Sequence, residues 1–297
     1  MLAEMRATPQ SQEPRSAPTG STRRAGEAPP PPEPLRVPVL DSHTHFDLQD
    51  GCDQPGGVAA ALTAAAAVGV DRVVQVGIDV PSSRWATAVA EQHDAVVATV
   101  AVHPNEAPHL ADLDAALAEI DMLAGNDRVR GIGETGLDYF RTGEGGRKQQ
   151  ERSFREHIAI AKRHRKALVI HDRDAHSDVL RVLAEEGAPD TVVLHCFSGD
   201  AEFARQCADR GYVMSFAGTV TFKNATSLRE AARIAPRELL LVETDAPYLT
   251  PMPYRGRPNA PYLIPLTVRF LAELRGEDLD ELCAVISATG DHVFGGW

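Results

Sequence analysis

Histidine and carboxylate residues of the kind that bind metal ions occur at six separate points of the 297-residue chain. They are His43, His45, Glu134, His171, His195 and Asp245. Imidazole nitrogen combined with carboxylate oxygen, without a thiolate, suits Zn²⁺, Mn²⁺, Co²⁺ or Fe²⁺. Mg²⁺ prefers oxygen ligands and fits this set less well, although a weakly held second Mg²⁺ is compatible with it. Six ligands exceed the four of a tetrahedral site, so the pattern predicts two divalent ions that share a bridging carboxylate and a water.

The spacing of the first two histidines supports a shared ion. Side chains two positions apart on an extended segment point to the same face, so the imidazoles of His43 and His45 can reach one ion. A single histidine at the end of a strand is more often a hydrogen-bonded core residue than a ligand. Ligand-type residues at several strand ends together make that explanation a poor one.

The elements that must position these residues alternate regularly along the chain. Short apolar runs, typical of strands buried on both faces, lie at Arg36–Leu40, Arg72–Val76, Val96–Val100, Val129–Gly133, Ala167–Ile170, Thr191–Leu194, Tyr212–Ser215 and Leu239–Val242. Helices are predicted at Val58–Val68, Ser82–His93, Leu110–Leu123, Lys148–Arg165, Ala175–Glu186, Ala201–Arg210, Asn224–Ile234 and Tyr262–Arg275, with an extra terminal helix at Asp278–Thr289. Eight strands that are each followed by a helix predict an α/β fold, a (β/α)₈ TIM barrel.

The candidate ligands occur at, or directly after, five of the predicted strands. In a barrel the carboxyl ends of all strands meet on one face, and active sites lie there. Residues that are far apart in the sequence are therefore expected to converge on that face.

A tail of different composition precedes the predicted domain 37–297. Residues 1–36 are rich in Pro, Ser, Glu, Ala and Arg and are predicted to be disordered. No run of 18 apolar residues is present to span a membrane. The pair Arg23-Arg24 is not followed by the apolar region of an export signal, so a cytoplasmic location is expected. The net charge of −12 is unfavourable for generic duplex binding, but a local basic patch suffices for one cleft.

Ordered motifs from Leu40 to about Phe294 resemble those of TatD hydrolases, in the amidohydrolase superfamily. They are Asp41-Ser-His-Thr-His-Phe-Asp47, Val102-His-Pro104, Gly133-Glu-Thr-Gly-Leu-Asp-Tyr139, Val169-Ile-His-Asp-Arg-Asp-Ala175, Leu194-His-Cys-Phe-Ser-Gly199, Ser215–Phe222, Glu243–Pro251, Tyr254-Arg-Gly256 and Asn259. The resemblance implies a metal-dependent deoxyribonuclease. It places the first ion on His43, His45 and Asp245, the second on His171 and His195, and Glu134 between them.

Two of the ligands are also predicted to be catalytic, Asp245 and Glu134. A carboxylate that binds one ion can still accept a hydrogen bond from the attacking water, and Asp245 is the favoured proton acceptor.

Five further residues are predicted to contact the substrate. Arg173, Lys223 and Arg255 follow strand ends and are candidates to hold phosphate, with a solvated loop charge as the alternative for each. His103 ends the third strand and is expected either to support a ligand or to line the pocket. Tyr248 is expected beside the pocket, where it can stack a base. Tyr139 and Phe140 can do the same, although aromatic wall residues are common in any barrel.

The fourth predicted helix carries a basic run with two histidines. His157, His164 and the run Lys162-Arg-His-Arg-Lys166 are interpreted as a solvated outer face.

The leading hypothesis is hydrolysis of a DNA phosphodiester by water activated at a binuclear divalent metal centre. Zn²⁺, Mn²⁺ and Mg²⁺ remain alternatives for the ions. The expected substrate is DNA, as a single strand or at an end, with no membrane association and no obligate protein partner. One alternative keeps the site and changes the bond to an ester or amide, such as an aminoacyl ester on tRNA. Another is a non-catalytic interaction protein on the same barrel, and the complete ligand set argues against it.

Overall fold

A computed structural model of the protein describes residues 26–297. Eight parallel strands form one sheet in the order of the sequence. They are β1 Val39–Thr44, β2 Val70–Val76, β3 Val96–Val100, β4 Val129–Asp138, β5 Ala167–Arg173, β6 Val192–Leu194, β7 Val213–Phe216 and β8 Leu240–Val242. A parallel bridge between Thr44 and Ala246 links β1 to the segment that follows β8. The predicted (β/α)₈ barrel is therefore confirmed.

The helices surround this sheet. They are α1 Gly57–Ala66, α2 Val80–Gln92, α3 Leu113–Leu123, α4 Glu144–His164, α5 His176–Glu186, α6 Ala201–Ala208, α7 Thr226–Ile234, α8 Ile264–Arg275 and α9 Leu279–Phe294. Aspartate begins several of them, because its carboxylate accepts hydrogen bonds from the free N–H groups of the first turn. Asp79, Asp112, Asp200 and Asp278 do so for α2, α3, α6 and α9. No helix within residues 26–297 is long and apolar enough to cross a membrane.

Three strands continue by three or more residues beyond the ends predicted from their apolar runs. β1 continues to Thr44, β4 to Asp138 and β5 to Arg173, so the polar motif residues lie within strands. The ladder between β4 and β5 pairs Gly136 with His171 and Asp138 with Arg173. The predicted strands ended with their apolar runs, whereas backbone pairing continues wherever a neighbouring strand is available.

The described part of the predicted tail lies against the barrel. The Tyr262 hydroxyl donates to the carbonyl of Pro29 over 2.7 Å, and the Arg269 guanidinium donates to the carbonyl of Pro34 over 3.1 Å. The N–H of Leu35 donates to the carbonyl of Val68, and the Leu35 side chain is buried. Residues 26–36 thus differ from the predicted disordered tail, and residues 1–25 of that tail lie outside the described residues.

The prediction of a solvated face for His157 is wrong. Its imidazole is fully buried, with Nδ1 donating to the carbonyl of Ser153 over 2.7 Å and Nε2 accepting from the N–H of Val102 over 3.0 Å. Burial lowers the pKa of His157 to about 4, so the ring stays neutral and serves as an acceptor for the end of β3.

Candidate metal centre

The structure brings the six predicted ligands together at the carboxyl ends of the strands. His43 lies in β1 and His45 follows it, Glu134 lies in β4, His171 lies in β5, His195 follows β6 and Asp245 follows β8. Their side chains range from 0% to 18% exposed, so these polar groups are largely removed from solvent.

A first group of ligand atoms surrounds one point. The Nε2 atoms of His43 and His45 are 3.3 Å apart, and Asp245 Oδ1 lies 3.9 Å and 3.5 Å from them. Glu134 Oε2 lies 3.4 Å from His43 Nε2. Ligand atoms held 2.0–2.2 Å from a tetrahedral ion lie about 3.4 Å from one another. The spacing of these atoms therefore fits one divalent ion.

A second group surrounds the other carboxylate oxygen of Glu134. Glu134 Oε1 lies 2.7 Å from His171 Nδ1 and 2.9 Å from His195 Nε2. His103 Nε2 also approaches this oxygen, at 3.2 Å, so His103 joins the ligand-type residues rather than only lining the pocket. Glu134 thus presents one oxygen to each group, as a bridging carboxylate would.

Two buried carboxylates behind the site orient its imidazoles. Asp138 Oδ2 lies 3.2 Å from His171 Nε2, and Glu243 Oε1 lies 3.1 Å from His195 Nδ1. Such partners fix the ring orientation and the tautomer of a ligand histidine. Asp138 and Glu243 were not predicted as functional residues. Their place in buried strand-end motifs was the available signal, because a buried carboxylate requires a partner.

Asp41 links the first strand of the barrel to the segment that follows the last strand, beside the site. Its carboxylate accepts the N–H of Thr244 over 2.9 Å, and the N–H of Asp245 donates to the carbonyl of His43 over 2.9 Å. Burial raises the pKa of Asp41 to about 7, against the hydrogen bonds from Thr244. Asp245 has a φ of 51°, in the left-handed region that non-glycine residues adopt mainly where the surrounding structure enforces it. This frame places Asp245 opposite the β1 histidines.

Two glycines in the Glu134 motif are required by close backbone approach. A Cβ at Gly133 would lie 2.5 Å from the carbonyl oxygen of Val169, and one at Gly136 would lie 2.1 Å from that of His171. Gly136 also has a φ of +136°. Because β4 and β5 pack this closely, Glu134 and His171 reach hydrogen-bonding distance.

The electrostatics show that the imidazoles and carboxylates depend on each other. Burial opposes a charge on His45, but the hydrogen bond with Asp245 and the charges of the nearby carboxylates together outweigh burial and raise the pKa of His45 to about 9. The pKa of His171 also rises to about 9, because Asp138 and Glu134 outweigh burial. Burial acts to raise the pKa of Glu134, but the neighbouring histidines hold it well below its usual range. Glu134 is therefore ionised, and bound protons on His45 and His171 compete with metal ions.

The other predicted substrate residues also follow strand ends on this face. The Arg173 guanidinium lies over the Phe140 ring, with Cζ 3.9 Å from its centroid, and Arg255 lies over Phe222 at 4.2 Å. Lys223 is exposed. Tyr248 is half-buried. Burial is the main cause that raises the pKa of Tyr248, and the charge of Asp245 is the second. The structure thus leaves all five predicted substrate residues, including His103, on the face that holds the ligands.

Known metal-dependent hydrolases are similar to this chain in sequence over nearly the whole barrel. The family described as TatD related DNase matches residues 40–295. The metal-dependent hydrolase TatD of Mycobacterium tuberculosis is 47% identical over 264 residues, which cover 87% of this chain and 99% of that protein. The metal-dependent hydrolase YcfH of Escherichia coli K12 is 39% identical over 257 residues, covering 86% and 95%. Both are described as uncharacterized hydrolases, so their names specify metal dependence and hydrolysis and no substrate.

Solved structures of TatD proteins have the same fold as this chain. The crystal structure of YjjV, a TatD homologue from Escherichia coli K12, is 28% identical with a TM-score of 0.80, covering 86% of this chain and 97% of that one. A TatD family hydrolase from Entamoeba histolytica is 19% identical with a TM-score of 0.77, covering 88% and 99%, which supports the fold alone.

Proposed function

The chain belongs to the TatD family of metal-dependent hydrolases, and we propose that it hydrolyses phosphodiester bonds in single-stranded DNA. The observation that carries the proposal is the position of Glu134. Its two oxygens face two separate groups of histidines, at 2.7–2.9 Å on one side and 3.4 Å on the other. This arrangement supports two ions on a shared carboxylate, a type of centre that stabilises both the attacking and the leaving oxygen of a phosphodiester.

The charge of the loaded site favours a phosphodiester over a neutral ester or amide. Two divalent ions (+4), the two ligand carboxylates (−2) and four neutral imidazoles leave about +2 among the groups that would contact the ions. A phosphodiester carries −1 and is attracted to this charge. A neutral carboxyl ester or amide gains no such attraction in its ground state.

The residues would divide the work as follows. His43, His45 and Asp245 would hold one ion, and His171 and His195 the other, with Glu134 between them. Bound ions would supply positive charge that polarises the phosphodiester and makes the attacking water more acidic.

Asp245 would accept the proton of that water. Of the two ligand carboxylates, Asp245 is the more exposed, with 16% of its side chain exposed against 6% for Glu134. Burial acts to raise the pKa of Asp245, but the hydrogen bond from His45 and the charges of the neighbouring histidines together outweigh it and lower the pKa, so the carboxylate is ionised. The nearest imidazole contacts of Asp245 are at Oδ1, which leaves Oδ2 as the proton acceptor.

The test compares three substrates on the same protein. A labelled DNA single strand, a bis-aryl phosphodiester and an aminoacyl ester are incubated with metal-free protein and with protein reloaded with Mn²⁺, Zn²⁺ or Mg²⁺. We expect metal-dependent cleavage of the single strand and slower cleavage of the small diester. Turnover of the aminoacyl ester alone would replace the phosphodiester proposal with ester hydrolysis. Absence of turnover with every substrate and metal would favour a non-catalytic protein.

A further inference from the structure

Two arginines at the mouth of the barrel lie over aromatic rings. We call Phe140 with Arg173 the first station, and Phe222 with Arg255 the second station. In both pairs the guanidinium carbon is about 4 Å from the ring centroid, within the range of a cation–π contact. The two pairs are thus alike in chemistry although they come from different loops.

The stations lie on different sides of the metal centre. Phe140 follows β4 and Arg173 ends β5, whereas Phe222 follows β7 and Arg255 follows β8. In an eight-stranded barrel with strands in sequence order, the β4–β5 rim and the β7–β8 rim are three strands apart, close to the maximum of four. The ligands come from β1, β4, β5, β6 and β8, so the cluster lies on the face between the two rims. A linear substrate that touches both stations must therefore pass the metal centre.

The stations keep their charge available. On the outer helices, arginines pair with carboxylates, as Arg155 does with Glu151. Within residues 26–297, no carboxylate forms an ion pair with Arg173 or Arg255. An aromatic ring holds the guanidinium plane without neutralising it, and the N–H edges remain free to donate to phosphate. A guanidinium that merely covered an apolar surface would bury its ring, yet Phe140 remains 64% exposed.

The loop that carries each station is held by hydrogen bonds. In the first, the N–H of Tyr139 donates to the carbonyl of Arg173 over 2.9 Å, and the N–H of Arg141 donates to Asp138 Oδ1 over 2.7 Å. A loop held in this way loses little backbone entropy when a ligand binds.

In the second station, hydrogen bonds from residues outside the loop after β7 hold that loop in place. The Arg229 guanidinium donates to the carbonyls of Val220 and Phe222 over 3.0 Å and 2.6 Å. The N–H of Met252 donates to Thr221 Oγ1 over 2.8 Å, which ties the loop after β7 to the loop after β8. Phe222 and Arg255 are therefore held on neighbouring loops that are linked to each other.

We propose that the two stations bind a DNA single strand on both sides of the bond that is cleaved. An unpaired base stacks on the open face of Phe140 and another on Phe222, while Arg173 and Arg255 donate to the adjoining phosphates. Bases in a duplex are already stacked, so the stations select single strands. The inference rests on the proposed function and adds that a strand that extends past the centre in both directions binds more tightly than a shorter one.

The experiment measures KM and kcat of Phe140→Leu, Phe222→Leu and the double variant on oligothymidylates of increasing length. Stacking of one base contributes about 1–3 kcal/mol, so each single variant should raise KM for a strand of about twelve nucleotides roughly tenfold. The double variant should raise it roughly a hundredfold, with kcat within about twofold of wild type. For a dinucleotide, which cannot span both stations, the double variant should be no worse than the more affected single variant.

The matched control is Met122→Ala, because Met122 on α3 is also 64% exposed but carries no cation. It should leave KM unchanged at every length. Metal content and melting temperature are measured for all variants. KM effects that are below twofold, or that do not depend on length, would overturn the inference while DNA cleavage by the wild type keeps the proposed function.

Binding separates the two proposals if the wild type cleaves no DNA. Fluorescence anisotropy of a labelled oligothymidylate is then measured with metal-free protein. Binding that weakens about tenfold in Phe140→Leu and Phe222→Leu supports the stations although the proposed function fails. Binding that is absent, unaffected by the variants, or equally tight for a duplex overturns the inference.

Discussion

Charge is used differently in two regions of this barrel. At the carboxyl ends of the strands, buried carboxylates face imidazoles, as Glu134 faces His171 and His195 at 2.7 Å and 2.9 Å. On the outer surface between α4 and α5, exposed carboxylates face guanidinium groups. There Arg155 and Arg181 both contact Glu151, at 2.7 Å and 2.9 Å, with side chains 28–40% exposed.

The two regions differ in whether the positively charged side chain can lose its proton. A guanidinium keeps its proton at every working pH, so the outer network is fixed in charge. An imidazole exchanges its proton, so a divalent ion can replace the protons that hold the inner cluster together. Burial then makes this exchange matter, because buried charges interact strongly and exposed pairs contribute little to stability. The inner region is built for chemistry, and the outer region only adjusts stability.

The largest effect is expected at Asp245. Asn keeps a ligating oxygen and the volume but removes the charge and the basicity, so Asp245→Asn should lower kcat by about 10²–10⁴-fold with normal folding. His43→Ala is the control, because it weakens one metal site and added Mn²⁺ should partly restore activity. Both variants are titrated with Mn²⁺ while cleavage of a labelled strand is followed. Complete rescue of Asp245→Asn at high Mn²⁺ would show that Asp245 is only a ligand.

The next effect is a pH dependence of metal affinity confined to the inner region. In the metal-free protein the pKa values of His45 and His171 are about 9, above the usual 6.5. Their stabilising contribution is therefore complete below pH 6.5 and is lost as pH rises through 9. A metal ion must displace these protons, so affinity for Mn²⁺ should rise from pH 7 to 9, by about tenfold per unit for each proton displaced.

Calorimetry in two buffers of different ionisation enthalpy measures that proton release directly. The outer network offers the internal control, since its arginines do not titrate in this range. Affinity that is constant from pH 7 to 9, without proton release, would contradict the proposed exchange.

A smaller effect, on stability alone, is expected where the first described residues of the chain are removed. A chain that begins at Arg36 loses the buried Leu35 and the hydrogen bonds of Pro29 and Pro34. We expect a loss of about 2–4 kcal/mol in the free energy of unfolding, with kcat unchanged. A chain that begins at Gly26 is the control and should melt like the full chain. Equal melting temperatures of the two shortened chains would show that residues 26–35 contribute nothing.

The smallest effect is expected in the outer network itself. Arg155→Gln removes contacts with Glu151 and two glutamates of α5. Because these side chains are 28–45% exposed, the loss of stability should be at most about 1 kcal/mol and should shrink in high salt. Urea unfolding at two salt concentrations measures it. A loss of several kcal/mol would mean that the two regions use charge in the same way.

The apolar pattern predicted the architecture closely because strands of this barrel are buried on both faces. β3 has the predicted bounds Val96–Val100, and most other strands differ by one or two residues. β4 was predicted to end at Gly133 and continues to Asp138, because polar residues can remain in a strand that has a partner. The basic run on the same helix also led to the wrong prediction of a solvated His157, since a local pattern dominated by charges does not show what packs against each side.

The sequence by itself determined which chemistry is possible. Its ligand types and their positions near strand ends specify a cluster on one face, because every strand of a barrel directs its carboxyl end there. The tertiary structure decided how that cluster is divided. Only the folded chain shows that Glu134 faces two groups of histidines, that His103 joins one of them, and that arginines lie over Phe140 and Phe222. Such relations depend on distances between loops remote in sequence, which packing of the whole barrel sets and no local pattern encodes.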